Sequence, residues 1–182
     1  MQIKYYHFDE VSSTNTVAET LVKTKRPLDP FFITADFQTE GKGTKDKKWY
    51  SEKKNNLLYS LVMYSENPVI KPADMVLTAA HTIKDLLEKK YSIYVTIKHP
   101  NDIFLNKKKC GGILIKNIIQ GNQCWTIIGI GLNLNSTQFP SHLSQIATSV
   151  YLETSKKISI IKFRNDLTKS LMTSYQKIMN RI

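Results

Sequence analysis

Cysteine is scarce in this sequence. Two occur in 182 residues, Cys110 and Cys124, too few for a disulfide framework and spaced unlike any zinc-ligand pair. A reduced, cytoplasmic setting is the simplest expectation. Long hydrophobic runs are missing too. No stretch reaches the roughly 18 consecutive apolar residues of a membrane span, and the opening Met1-Gln2-Ile3-Lys4-Tyr5 has no signal-peptide core, so no membrane partner is expected. No His/Cys/Asp cluster reads as a metal cage, and no serine stands in a nucleophile elbow. The common phosphate signatures fail as well. Around Gly41-Lys42 a Walker loop would need glycine at Asp36 and Ser or Thr at Gly43, and Asp46 occupies the third glycine position of a dinucleotide fingerprint. Acidic residues are in deficit, 15 against 26 Lys and Arg, for a net charge of +11. That balance suits a lysine-rich soluble surface, a phosphate-rich ligand, an acidic protein partner or nucleic acid, and charge alone does not separate them.

What is present reads as one α+β domain. With 41% apolar residues the chain can bury a full core. The first seven residues read as a strand. Ser13-Thr14-Asn15-Thr16 supplies capping side chains for a short helix ending before Pro27, with Thr16 and Glu19 at capping-box spacing. Residues 31–36 and 56–64 read as strands, and 41–54 as a loop. Pro72 opens a helix whose stripe is Val76, Ala79, Ala80, Ile83, Leu86 and Leu87. Residues 93–98 alternate as a strand that Pro100 ends. Asp102–Asn106 and Lys109–Ile119 predict two strands around a basic turn, and Gly121-Asn122 a hairpin turn into a return strand over 124–134. After a polar connection, Ile160, Phe163, Leu167, Leu171 and Ile178 mark a long C-terminal helix. Hairpins without strict strand–helix alternation predict a mixed, largely antiparallel sheet flanked by helices.

Six of the seven glycines come as close pairs, Gly41/Gly43, Gly111/Gly112 and Gly129/Gly131. Glycine weakens a strand unless a bulge, a turn or a close approach requires it, so three pairs in one small domain point to a ligand laid on bare backbone. Two knots of lysine lie beside them. One is Lys42, Lys45, Lys47, Lys48, Lys53 and Lys54; the other is Lys107-Lys108-Lys109. They suggest a local anion site more than a nucleic-acid stripe.

Four segments, in order across residues 12–135, resemble the biotin–protein ligase family. They are Ser13-Thr14-Asn15; Gln38-Thr39-Glu40-Gly41-Lys42-Gly43-Thr44 through Trp49, with Ser51 and Asn56-Leu57; Lys98-His99-Pro100-Asn101-Asp102 through Lys109-Cys110-Gly111-Gly112-Ile113-Leu114; and Gly129-Ile130-Gly131-Leu132-Asn133. Ala147-Thr148-Ser149 is similar as well. The resemblance implies a fold akin to class II tRNA synthetases. It also implies a reaction in which ATP, carrying Mg²⁺, activates biotin to biotinyl-5′-AMP, and biotin then passes to a lysine of a biotin carboxyl carrier protein. Many members add an N-terminal DNA-binding domain and most a C-terminal β-barrel. Here residues 1–182 are expected to be a single catalytic domain with neither, no nucleic-acid partner is expected, and a homodimer is left open.

The resemblance also assigns roles. Lys109 matches the lysine between carboxylate and α-phosphate. Asp102 either orients or deprotonates the acceptor lysine, or caps its turn. Ser13, Thr14, Asn15 and Gln38 are expected at biotin's ureido ring, although the first three could equally cap a helix. Gly41, Lys42, Gly43, Thr44 and Gly112 belong to the phosphate-facing segments, and Asn101 lies near the nucleotide. Gly129 and Gly131 let the flat bicycle lie on a strand, Asn133 reaches the adenylate, and Trp49 either stacks on adenine or fills the core. Lys98 supports the site. The pattern departs from the family at Thr44, where an arginine that clamps the adenylate is usual, at Asp46 for a glycine, and at His99 for a tryptophan. A lipoate or octanoate ligase, a degenerate biotin-binding relative and a nucleic-acid binder are the rival readings.

Overall fold

The computed structural model describes residues 3–44, 47–66 and 71–179; Lys45 and Asp46, and with them that departure from the family pattern, lie outside the described residues. Among the described residues seven strands form one sheet: β1 (Lys4–Phe8), β2 (Phe31–Ala35), β3 (Leu57–Glu66), β4 (Thr96–Lys98), β5 (Asp102–Leu105), β6 (Lys108–Gln120) and β7 (Gln123–Leu132). Their spatial order is β1-β2-β3-β7-β6-β5-β4. Only β1 and β2 run parallel; every other pair is antiparallel. The described residues also form five helices: α1 (Thr14–Lys25), α2 (Pro72–Tyr91), α3 (Ser141–Ser144), α4 (Val150–Thr154) and α5 (Ile160–Met179). The mixed α+β class expected from the hairpins is therefore the one observed.

The two faces of the sheet are unequal. On one, α2 and α5 bury Ala79, Ile83, Leu87, Phe163, Leu167, Leu171 and Tyr175 against Leu57, Leu61, Ile113, Ile128, Ile130 and Leu132. Each large side chain so buried contributes roughly 1.5–3 kcal/mol, which is why the helical stripes of 72–91 and 160–179 are sharp in the sequence. On the other face α1 packs on β2, β3 and β7, through Ala18 and Val22 against Ile33, Val62, Trp125 and Ile127. On that face Gly129 lies under Asn15 of α1, and Gly112 and Gly131 are left to Trp49 of the segment between β2 and β3. Among the described residues no helix is long and apolar enough to cross a membrane.

Three expectations change. The capping box does not form, because α1 starts at Thr14 and Thr16 lies inside it. Glu19 instead pairs with Lys23 and Lys116, 2.7 Å from each. The fourth strand is shorter than 93–98, since Ile93 and Val95 are buried but unpaired ahead of Thr96. The polar connection holds two helices, of which α4 is capped by Ser149, whose Oγ accepts from the Leu152 amide.

Candidate active site

The polar end of the site is built at the start of α1. The Ser13 side chain makes no cap hydrogen bond. The Thr14 amide and hydroxyl both donate to Gln38 Oε1, at 2.8 and 3.0 Å. Gln38 is brought there by a parallel bridge between Val11 and Gln38 just beyond β1 and β2. From β3, Ser60 Oγ reaches Thr14 Oγ1 at 2.8 Å and Asn15 Oδ1 at 2.6 Å. A hydroxyl has one proton, so Ser60 can donate to only one of these two atoms at a time. The Ser13-Thr14-Asn15 side chains thus face the sheet rather than cap the helix.

The glycines sit where side chains would collide. A Cβ on Gly129 would lie 2.3 Å from Asn15 Oδ1, and one on Gly131 2.5 Å from the Trp49 indole. One on Gly112 would meet Trp49 at 3.2 Å and the Lys109 Cε and Nζ at 3.4 Å. Trp49 therefore lies on the glycine floor. It belongs to neither apolar core cluster, which removes the core reading. Its Nε1 is buried without a partner among the described residues, and the Lys109 ammonium sits 5.7 Å from its ring centre. With the indole in place the open volume is about 40 Å³, room for a few waters. A ligand of any size must displace it.

The loop bearing Trp49 is a small hairpin. Lys42 bridges Lys48, the Gly43 amide donates to Lys47 O at 2.7 Å, and the Trp49 amide donates to Gly41 O at 2.8 Å. Lys42, Lys47 and Lys48 are exposed, and Lys42, Gly43 and Thr44 line the pocket.

Lys109 owes its direction to a register shift. Between β5 and β6, Phe104 pairs Lys109 but Ile103 pairs Gly111, so Cys110 is an extra residue. Cys110 and Gly111 then both face the α2/α5 core, and Lys109 and Gly112 both face the pocket. Re-aiming a side chain is what a bulge does. Burial pushes the Cys110 thiol up to about 12, so it is an inert core atom. Lys109 Nζ lies 2.6 Å from Asp102 Oδ1. Asp102 is thus the ion-pair partner of Lys109, and among the described residues its side chain makes no capping hydrogen bond. The other two lysines of that knot go elsewhere: Lys108 Nζ donates to Ser144 O at 3.1 Å, and Lys107 sits in the turn at φ 67°.

One pocket brings together Ser13, Thr14, Asn15, Gln38, Lys42, Gly43, Thr44, Trp49, Asn101, Lys109, Gly112, Gly129 and Gly131. Asn101 is fixed by donating to Ile113 O at 3.2 Å. Gly41 stands one step behind the wall, where a Cβ would lie 2.5 Å from Trp49 O. Asn133 is outside the wall, buried behind β6, with Nδ2 donating to Thr148 O at 3.1 Å and Oδ1 unpartnered among the described residues. Lys98 is exposed over Phe104, 5.3 Å from the ring centre. Missed from the sequence were Tyr59 and Ile130 on the wall and Ser60 in the polar cluster. Ser60 carried a signal, a lone hydroxyl inside an otherwise apolar buried run.

Comparison with known proteins bears on this pocket. A profile of the biotin/lipoate A/B protein ligase family matches residues 7–133. The bifunctional ligase/repressor BirA of Bacillus subtilis is 35% identical over 156 residues, covering 84% of this chain and 47% of that protein. Biotin–protein ligase 2 of Arabidopsis thaliana is 31% identical over 121 residues, 64% of this chain and 36% of that one. The chain thus spans about half the length, or less, of these curated relatives. Among solved structures, biotin protein ligase from Aquifex aeolicus in complex with biotin and ATP superposes with a TM-score of 0.81 at 26% identity, covering 96% of this chain and 71% of that one. The profile takes in every element that builds the pocket, and the chain belongs to the biotin/lipoate A/B protein ligase family.

Proposed function

We propose that the protein is a biotin–protein ligase, which adenylates biotin with ATP and passes the biotinyl group to a lysine of a biotin carrier domain. The observation that carries the reading is a single pocket with a buried hydroxyl–amide cluster at one end and Lys109 at the other. The first end matches a cyclic urea, which offers N–H donors and a carbonyl. It has nothing to offer the saturated tail of octanoate, so the lipoate or octanoate alternative is not favoured.

In the first step a biotin carboxylate oxygen attacks the α-phosphorus, and the bond to the β-phosphate breaks, releasing pyrophosphate. The carboxylate is already ionised, so no base is needed. The barrier is anion repulsion, which Lys109 lowers by standing between the two groups. Thr44 and Lys42 on the hairpin face the phosphates, and the aromatic face of Trp49 lies along the bicycle or the purine once it has moved off Gly131. Mg²⁺ enters as part of the ATP substrate. Among the described residues one candidate metal cluster, His7, Asp9 and Asp36, occurs, and none of its members lines the pocket.

In the second step the acceptor amine attacks the carbonyl carbon, and AMP leaves. Asp102, beside Lys109, is the carboxylate available to orient that amine or take its proton. An acidic carrier domain suits the net charge of +11 and the exposed Lys42, Lys47, Lys48 and Lys53, of which Lys42 lines the pocket. The test is to incubate the protein with ATP, Mg²⁺, a carrier domain and either biotin or lipoate, and to read the carrier by intact mass. One biotinyl group per carrier is expected. Lipoyl transfer alone, or no transfer with either acid, would overturn the reading.

A further inference from the structure

The start of β6, whose shifted register aims Lys109, is held from inside the pocket by Asn101, which exchanges hydrogen bonds with Ile113, and also by contacts outside it. The stretch 146–148 runs parallel to Lys109: its amide donates to Ile146 O at 2.9 Å, and the Thr148 amide returns to Lys109 O at 2.9 Å. Thr148 is in turn fixed by Glu153, the penultimate residue of α4. Thr148 Oγ1 donates to Glu153 Oε1 at 2.6 Å, and Asn106 Nδ2 donates to Glu153 Oε2 at 2.7 Å. Asn106 is the first residue of the β5–β6 turn and has φ 47°, a left-handed conformation that asparagine tolerates. One carboxylate thus ties the turn before Lys109 to the strand beside it. These hydrogen bonds, that from Thr148 foremost, hold the Glu153 carboxyl below its ordinary value, so the tie stays charged at neutral pH.

We propose that Glu153 is a positioning residue for the adenylation step, acting through Thr148 and Asn106 to hold the bulged start of β6 and hence the direction of Lys109. The proposal rests on the ligase reading for its catalytic consequence, and on geometry alone for its structural one.

Both consequences can be measured on the full chain. Glu153→Gln keeps the shape but removes the charge and one acceptor. Thr148→Val removes the donor, while Thr148→Ser keeps it. Displacement of a reacting group by a fraction of an ångström predicts that Glu153→Gln and Thr148→Val lose roughly tenfold or more in the kcat of biotin-dependent ATP–pyrophosphate exchange, with KM for biotin and ATP moving less than about twofold. Thr148→Ser should remain near wild type. Amide hydrogen exchange should quicken at Lys109 and Thr148 in the two damaging variants. Wild-type kcat and wild-type protection in both Glu153→Gln and Thr148→Val would overturn the proposal, as would an equal rise in KM with kcat unmoved. Absence of ATP–pyrophosphate exchange with biotin in the wild-type protein would count against the ligase reading only. The amide exchange of Glu153→Gln would then still decide whether the tie exists.

Discussion

The two ends of the pocket are built on opposite plans. At the polar end Ser13, Thr14, Gln38 and Ser60 are all buried, at 2, 3, 9 and 0% exposure, and Thr14, Gln38 and Ser60 are joined by hydrogen bonds. At the cationic end Lys42, Lys47 and Lys48 stand in solvent on a two-stranded loop without a salt bridge to any described residue, and Lys109 alone is held, by Asp102. The cause is physical. A neutral polar group can be buried once its hydrogen bonds are made, whereas burying an ammonium without a partner costs several kcal/mol. Under the proposed function, recognition is assembled in advance, while most of the charge that would neutralise phosphate stays in water.

If that contrast is right, the largest loss should come from the one cation already in place. Lys109→Ala is expected to reduce biotin-dependent ATP–pyrophosphate exchange by roughly 10²–10³-fold in kcat, with biotin binding measured by calorimetry nearly unchanged. A change confined to biotin affinity would move Lys109 to the recognition end. Next is Gly129→Ala. The new Cβ would fall 2.3 Å from Asn15 Oδ1, so Asn15 must swing away and surrender its bond from Ser60. Leaving a buried polar group unpaired costs about 1–3 kcal/mol. Biotin affinity should weaken roughly ten- to hundredfold, with the kcat of bound enzyme little altered, as a titration followed by single-turnover kinetics would read.

The sequence disclosed the two ends unequally, for reasons that follow from the same contrast. Periodicity exposed α2, α5 and β3, because each buries a long regular stripe. It did not expose α4, five residues long and defined by the Ser149 cap and its docking rather than by a repeat. The glycine pairs announced a close approach, yet what approaches Gly131 is Trp49, more than eighty positions away along the chain, and spacing carries no record of such a contact. The direction of Lys109 depends on one extra residue at Cys110, a shift that looks the same in sequence as regular alternation. The helix-capping expectation for Ser13-Thr14-Asn15 went astray because the residues that cap helices also make good hydrogen-bonding walls. Only Gln38, from just beyond β2, and Ser60, from β3, decide between the two uses.

Thr44 sharpens the comparison on the loop side. It lines the pocket where the family resemblance expects an arginine, and threonine cannot form the two-pronged phosphate contact of a guanidinium. Release of biotinyl-AMP from the native protein should therefore be fast. Thr44→Arg is expected to slow it about tenfold, by one added charge-assisted contact. A pulse-chase of labelled adenylate measures this, and no slowing would place the retention elsewhere.

The smallest effect tests whether the polar end depends on the outside of α1. Glu19 lies on the helix that carries Thr14 and Asn15, and it bonds Lys116 of β6 and Lys23, each at 2.7 Å. Those bonds, the Lys116 one foremost, lower its carboxyl from 4.5 to about 2 in the folded protein. A depressed carboxyl stabilises the fold above its unfolded value and loses that contribution as pH falls through the folded one. Because the pair is near the surface, Glu19→Gln should cost only about 0.5–1 kcal/mol at pH 7. The gap from wild type in urea midpoint should close between about pH 4.5 and 2. Biotin affinity at pH 7 should not move, since the hydrogen bonds among Thr14, Gln38, Ser60 and Asn15 hold the recognition end without this clasp. A weaker affinity in Glu19→Gln would mean that α1 is set from outside, and that the polar end is less self-supporting than its burial suggests.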